Sequence, residues 1–319
     1  MTLTRLQKRP LQFILFGGKG GVGKTTMASA TALELAREKK VLIFSTDPAP
    51  SLGDCFGQPV GNKPTAILGT ENLFALEVDA KQALEEAKAE YGEEVLDILQ
   101  KGAYPANEEA EETFRFDLPG LDEIMSLKKI TDFMKSTEYQ LYIVDAAPTG
   151  HTIRLLTLPD LLDQWIKFLA HLRWKYRTVT RQFSRKEQNE RTDQFLMDIK
   201  QTVQRVRTLL QDPEKTEFVV VTIAEKMAAL ETEDLLDRLK QMQIPSAHII
   251  VNNLFPPEES DFAEMRRKSQ EKYLHEIKER ACKTHIITEV TLQPTEIQGI
   301  ESLRGLGAQL FADSGEEKL

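Results

Sequence analysis

Apolar residues in this chain concentrate in short runs separated by longer stretches, and that alternation predicts an α/β fold. The runs span Leu11 to Phe16, Val41 to Phe44, Leu73 to Val78, Leu141 to Val144, Phe218 to Ile223, His248 to Val251 and His285 to Ile287. An uninterrupted run such as Val41 to Phe44 is expected of a parallel strand covered on both faces. Helical stretches are predicted at Thr25 to Glu38, Ala80 to Gln100, Asp122 to Ser136 and Ile300 to Phe311. Repeated strand–helix units give a doubly wound, mostly parallel sheet with ligands at the carboxyl ends of the strands. The expected organisation is one α/β domain over residues 1–319, with a helical subdomain of about 80–136 and 158–211 inserted in it.

Chemistry enters at the first strand–helix junction. Residues 17–26 read GGKGGVGKTT, which satisfies the phosphate-binding loop spacing between a strand and a helix. Gly20, Gly21, Val22 and Gly23 supply inward-pointing N–H groups, and the following helix adds its positive end. Lys24 is placed to reach the β- and γ-phosphates of ATP, Thr25 to offer a hydroxyl to Mg²⁺, and Thr26 to contact a phosphate nearer the base. Lys19 is not required by an ordinary P-loop and marks the deviant subclass. Its side chain need not fold onto the phosphates beneath it, so it is expected to reach a nucleotide held by a facing subunit; the plainer alternative is a solvated loop lysine.

Two carboxylates follow strand ends. Asp145 stands where a Walker-B aspartate would hold Mg²⁺ through its water shell. Asp47, stiffened by Pro48 and Pro50, is placed to orient or deprotonate the attacking water. Either could instead be a cap or turn aspartate. From Asp145 the chain reads DAAPTGHTIR, and Pro148, Thr149, Gly150 and His151 form a segment suited to reorganise on γ-phosphate loss. His151 is expected to be a hinge rather than an acid–base catalyst. Asn252 closes an apolar strand, where an amide could read adenine or simply make a turn.

Composition narrows the classes. A formal charge of −9 argues against a general nucleic-acid binder, which needs a basic face. The two cysteines, Cys55 and Cys282, are far apart and make neither a disulfide framework nor a metal pair, so a reducing, cytoplasmic compartment is expected. No apolar run approaches the ~18 residues of a membrane span, and the N-terminus reads as no signal peptide.

Taken together the motifs resemble the arsenite-pump ATPases (ArsA) and their relatives that deliver tail-anchored proteins to membranes. GGKGGVGKTT is similar to the family's P-loop, STDPAPS at 45–51 to its switch I, and VDAAPTGHTIRLL at 144–156 to its switch II. PGLDE at 119–123, IIVNN at 249–253 and LQPTEIQG at 292–299 fall in the family's order. The resemblance implies Lys19 acting in trans, Asp47 activating water, Thr25 on Mg²⁺, Asp145 in the metal's outer shell and Asn252 on adenine. Three departures stand beside it. Pro50 replaces the histidine of switch I. FPPEESDF at 255–262 replaces the Cys-x-x-Cys pair that clamps zinc between subunits. The thiols that arsenite requires are missing, and As(III) wants two or three in one place. A single-length chain makes a homodimer the natural unit.

The segment after switch II carries two amphipathic stripes. One holds Leu161, Leu162, Trp165, Ile166 and Leu169, the other Phe195, Ile199 and Val203. In facing subunits they could line a groove for a hydrophobic client helix, or they pack onto each other and the sheet. Between Asp163 and Glu187 lie seven Lys or Arg and no acid, a face for peripheral contact with an anionic membrane or a plain solvated surface. The expected function is therefore a dimeric Mg-ATP-hydrolysing switch that captures or delivers a hydrophobic membrane-protein segment. The alternative is the catalytic subunit of an arsenite or antimonite efflux pump, partnered by a membrane pump subunit. A partitioning ATPase comes third.

Overall fold

A computed structural model describes residues 3–45, 51–78, 82, 85–86, 89, 132–135, 137–146, 186–257, 261–281 and 283–312. The chain divides into two compact units, one of Met1–Val78, Ser136–Ile153 and Leu209–Leu319, the other of Asp79–Lys135 and Arg154–Thr208. Within the second, residues 132–135 are helical. Among the described residues no helix is long and apolar enough to cross a membrane.

The first unit holds the sheet. In chain order come α1 (Thr4–Lys8), β1 (Phe13–Gly17), α2 (Lys24–Leu35), β2 (Val41–Ser45), α3 (Leu52–Phe56), β3 (Thr65–Ala66), β4 (Leu73–Glu77) and β5 (Leu141–Asp145). Then follow α4 (Lys186–Gln211), which lies in the second unit up to Thr208, and β6 (Thr216–Ile223), α5 (Lys226–Gln241), β7 (His248–Leu254), α6 (Asp261–Ala281), β8 (Ile286–Thr291) and α7 (Gly299–Phe311). The strand order is β3-β4-β2-β5-β1-β6-β7-β8. Every pair is parallel except the short antiparallel β3–β4 contact. This is the doubly wound sheet that the apolar runs predicted. β1, β2 and β5 are buried at every position, so each contributes apolar side chains to both faces.

The register brings the chemistry to one end. Phe16 pairs with Asp145, Ser45 pairs with Asp145 from the other side, and Gly17 pairs with Val220. The carboxyl ends of β1, β2, β5 and β6 therefore meet where the order of strands reverses around β1, the usual ligand crevice of an open sheet. Behind them α2 is buried around most of its circumference, from Met27 through Leu35. It packs with α1 and α7 in a core that includes Leu3, Leu6, Phe16, Ile43, Leu303 and Leu310.

α1, α3, β3, α5 and α6 fall outside the runs and helices read from the sequence, and β7 outruns its prediction. α1 lies in the basic N-terminal stretch, held by buried Leu3 and Leu6 and by the Leu3 N–H donating to the Leu310 carbonyl. α3 makes a helix of part of what reads as a loop, and Gly57 ends it in the left-handed conformation. β7 runs on through Asn252 and Asn253 to Leu254, with an irregularity in its pairing to β8 between Val251 and Leu254.

At the amino ends of β6 and β7 a buried ionic cluster ties the sheet to the N-terminal segment. Glu217 is 1% exposed and accepts from Arg9 Nη1 at 2.6 Å, from the Ala247 N–H at 2.6 Å and from His248 Nδ1 at 2.9 Å. Arg9 also donates to the Pro213 carbonyl. Burial pushes the Glu217 carboxyl up, but His248, by hydrogen bond and charge, together with Arg9 and Ala247, outweighs it and holds the group below the usual glutamate range. A depressed folded-state value stabilises the fold above the unfolded glutamate pKa of about 4.3, and the contribution disappears as pH falls through the folded value. Glu217→Ala should lower the unfolding free energy near neutral pH by ~3 kcal/mol, since it leaves buried partners uncompensated. The gap to the parent should narrow below about pH 4, measured by urea denaturation across pH.

Candidate functional site

The loop between β1 and α2 is shaped by what its neighbours leave no room for. Gly18 has φ +154°, and a Cβ there would lie 2.0 Å from the carbonyl oxygen of Val221 on β6. The loop can cross the end of β6 only because that atom is missing. Gly23, at φ +93°, stands just before α2, and a Cβ there would lie 2.5 Å from Nδ2 of Asn252. α2 carries no acidic residue of its own in its first turn, so the positive end of its dipole favours an anion there.

The side chains sort themselves around this loop. Lys24 is 7% exposed and its ammonium donates to the carbonyl of Lys19 at 3.2 Å, so it lies along the loop's own backbone. Lys19 turns away from the loop and pairs with Glu231 on α5 at 2.9 Å. Thr25 Oγ1 donates to Asp145 Oδ2 at 2.7 Å, and the hydroxyl of Ser51 lies 3.4 Å from it. Ser45 donates to the same carboxylate oxygen at 3.3 Å. Asp145, only 1% exposed, thus joins the ends of β5 and β2 to the first turn of α2.

Asn252, 7% exposed, donates from Nδ2 to the carbonyl of Val22 at 2.9 Å and so braces the back of the loop. The residue after it, Asn253, adopts φ +56°. Gln270 of α6 holds that kink, donating to the Asn253 carbonyl at 2.9 Å and accepting from the Phe255 N–H at 2.8 Å. Beside the brace opens a cleft of about 560 Å³, lined by Gly21, Gly23 and Thr26, by Cys55 and Asn252, and by the segment from Leu292 to Gln298. That segment is most of the LQPTEIQG motif. Burial pushes the Cys55 thiol up, which keeps it protonated and a poor ligand for soft ions.

Of the side chains singled out from the sequence, Lys24, Thr25, Thr26, Asp145 and Asn252 lie around one loop, and Lys19 leaves it. Asp47, Pro48, Pro148, Thr149, Gly150, His151, Leu161, Leu162, Trp165, Ile166 and Leu169 lie outside the described residues. Phe195, Ile199 and Val203 fall on α4, with their side chains outside the description. Ser45 and Ser51, the two ends of the STDPAPS motif, were not singled out within it, and Gln270 and Glu231 had no motif to mark them. Ser45 and Ser51 flank the segment TDPAP and could have been found by asking what neighbours a strand-end carboxylate. Gln270 and Glu231 carry no such signal, because each meets its partner only through the sheet order.

The sequence profile of a family described as anion-transporting ATPases, the ArsA type, matches residues 11–312. The chain belongs to that family. This ArsA-type ATPase is 35% identical to ATPase ASNA1 homolog 1 of Paramecium tetraurelia, over 94% of this chain and 92% of the relative. It is 37% identical to ATPase GET3B of Arabidopsis thaliana, over 93% and 78%, and 34% identical to ATPase GET3 of Malassezia globosa, over 96% and 92%. The family resemblance read from the motifs therefore holds across nearly the whole chain, and with it the assignment of the protein as an enzyme that hydrolyses ATP.

The Gly23–Asn252 contact gives the ArsA-type loop a direct test. Gly23→Ala should destabilise the protein by ~2–3 kcal/mol, combining a left-handed backbone at a Cβ-bearing residue with a clash. In an Asn252→Ala background only the backbone share, about 1–2 kcal/mol, should remain. Chemical denaturation of the four proteins of the cycle measures both, and equal costs in the two backgrounds would show that the Asn252 side chain does not limit the loop.

Proposed function

We propose that this ATPase hydrolyses ATP only when two copies close on each other, and that closure grips an apolar segment of a membrane-protein client. The observation that carries the reading is the contrast between the two loop lysines. Lys24 is buried along the loop backbone, in position to meet phosphates bound in its own cradle. Lys19 projects out of the loop to Glu231 on α5 and is about a third exposed, so it stays off the phosphates of its own cradle and within reach of a facing subunit.

In the closed dimer, water attacks the γ-phosphorus of ATP while the bond to the β–γ bridging oxygen breaks. Asp47 takes the proton from that water. Lys24 and the partner subunit's Lys19 face the charge that develops on the phosphoryl oxygens, and α2 directs its positive end at the same group. Thr25 and Asp145 offer only oxygen donors at the 2.7 Å contact, a set that fits a hard cation, with Thr25 coordinating and Asp145 acting through water. Bound there, Mg²⁺ would offset phosphate charge. Asn252 and the cleft behind Gly21 and Gly23 take the adenosine end. The segment of Asp145, Pro148, Thr149, Gly150 and His151 transmits loss of the γ-phosphate to the helical stripes.

For the client we take the two stripes, Leu161, Leu162, Trp165, Ile166 and Leu169 with Phe195, Ile199 and Val203, as the walls of a groove for one apolar helix. The protein then works in the cytoplasm, with its basic segment touching membrane lipid peripherally. The metalloid-pump reading has little to stand on: the sequence contains two cysteines, and soft metalloids want several thiolates together.

Basal ATP turnover should be compared with turnover in the presence of a detergent-free transmembrane peptide and of antimonite. The peptide should bind in the ATP state and antimonite should leave the rate unchanged; stimulation by antimonite would overturn the client reading. Lys19→Ala should lose turnover by at least about 100-fold while still binding nucleotide, the size expected for removing one charge-stabilising donor. A mutant that hydrolyses at the parental rate would overturn the cross-subunit role.

A further inference from the structure

The partner that holds Lys19 within one chain is placed with care. The loop crosses β6 at Gly18, where the Val221 carbonyl leaves no space for a Cβ. The next residue, Lys19, therefore emerges at the carboxyl end of β6, and β6 leads almost at once into α5 at Lys226. Thr232 fastens the first turns of that helix to the strand: its hydroxyl donates to the Ala228 carbonyl at 2.7 Å and lies 2.8 Å from the hydroxyl of Thr222. Thr232 is buried, so the adjacent Glu231 is delivered to the surface from a fixed backbone position. There it meets Lys19 Nζ at 2.9 Å, with both side chains 33% exposed.

We infer that Glu231 is a positioning residue that holds Lys19 in its own subunit and so opposes ATP-dependent closure until a facing phosphate displaces it. The inference rests on the proposed action of Lys19 across the dimer. An ammonium paired at 2.9 Å is electrically compensated, and a phosphate on the facing subunit must compete with a carboxylate already in contact. Each closed dimer requires this exchange twice, once per chain. The contact is exposed enough to be weak, which suits a hold that must be released: half-exposed ion pairs contribute roughly 0.4–1 kcal/mol, a two- to fivefold bias per lysine. Glu231 does not touch the reacting atoms; it acts through the lysine alone.

Glu231→Gln keeps the side chain's shape and removes its charge. In the full-length protein with Mg-ATP, the dimer dissociation constant measured by analytical ultracentrifugation should fall roughly 4- to 25-fold, two- to fivefold for each of two lysines. Turnover at protein concentrations below that constant should rise by a comparable factor. Neither effect should appear when Glu231→Gln is combined with Lys19→Gln, a dependence that a merely structural role for Glu231 would not produce. Unchanged or weaker closure in Glu231→Gln, with Lys19→Gln inactive, would overturn the holding role and leave the cross-subunit reading intact. Lys19→Gln closing and hydrolysing like the parent would instead overturn the reading on which the inference rests.

Discussion

A carboxylate buried in the middle of a parallel sheet is the constraint on which this site depends. Asp145 sits at the end of β5, between β1 and β2, and is almost fully shielded from water. A charge in that position has to be met by hydrogen-bond donors, because the cost of leaving it bare exceeds most single contributions to folding. Thr25 and Ser45 are the donors the fold supplies, and accepting them fixes where α2 begins and where β2 ends. The phosphate loop is suspended between that anchor and the brace of Asn252 on the Val22 carbonyl. Its geometry is thereby set before any nucleotide arrives, which is what preorganisation of an anion site requires.

The fold was legible where burial is simplest. Strands β1, β2, β5, β6 and β7 lie inside a sheet covered on both faces, and their runs FILF, VLIF, LYIV, FVVV and HIIV show it without help from any partner. Where a structure depends on something distant, the chain gives no such sign. β3 consists of Thr65 and Ala66 and exists only because β4 lies beside it. α1 buries only Leu6, in a basic segment too short to show a period. α6 has a thin buried stripe of Ala263, Gln270 and Ile277, seven residues apart, within an otherwise polar helix, and a stripe that narrow is easily taken for surface.

The same division runs through the site. Lys24, Thr25 and Asp145 could be placed because motif spacing and strand ends are local features, and local features survive in a linear text. Glu231 could not, since it is 212 positions from Lys19 and becomes its neighbour only because β6 lies next to β1. Gln270 reaches the kink after Asn252 through a helix that returns from the far side of β7. Long-range polar pairs of this kind are where function and fold constrain each other, and composition or period cannot report them.

The two ends of the sheet have a consequence of another kind. At one margin the last strand is two residues long and runs against its neighbour; at the other, β8 exposes Glu289, which pairs with Lys278 at 2.5 Å. Long flat margins recruit further strands from other chains, and short or charged ones discourage them. This protein thus has a sheet that resists growing sideways. A molecule that exposes apolar residues such as Phe262 and Met265 elsewhere on its surface thereby denies neighbouring chains a template for aggregation.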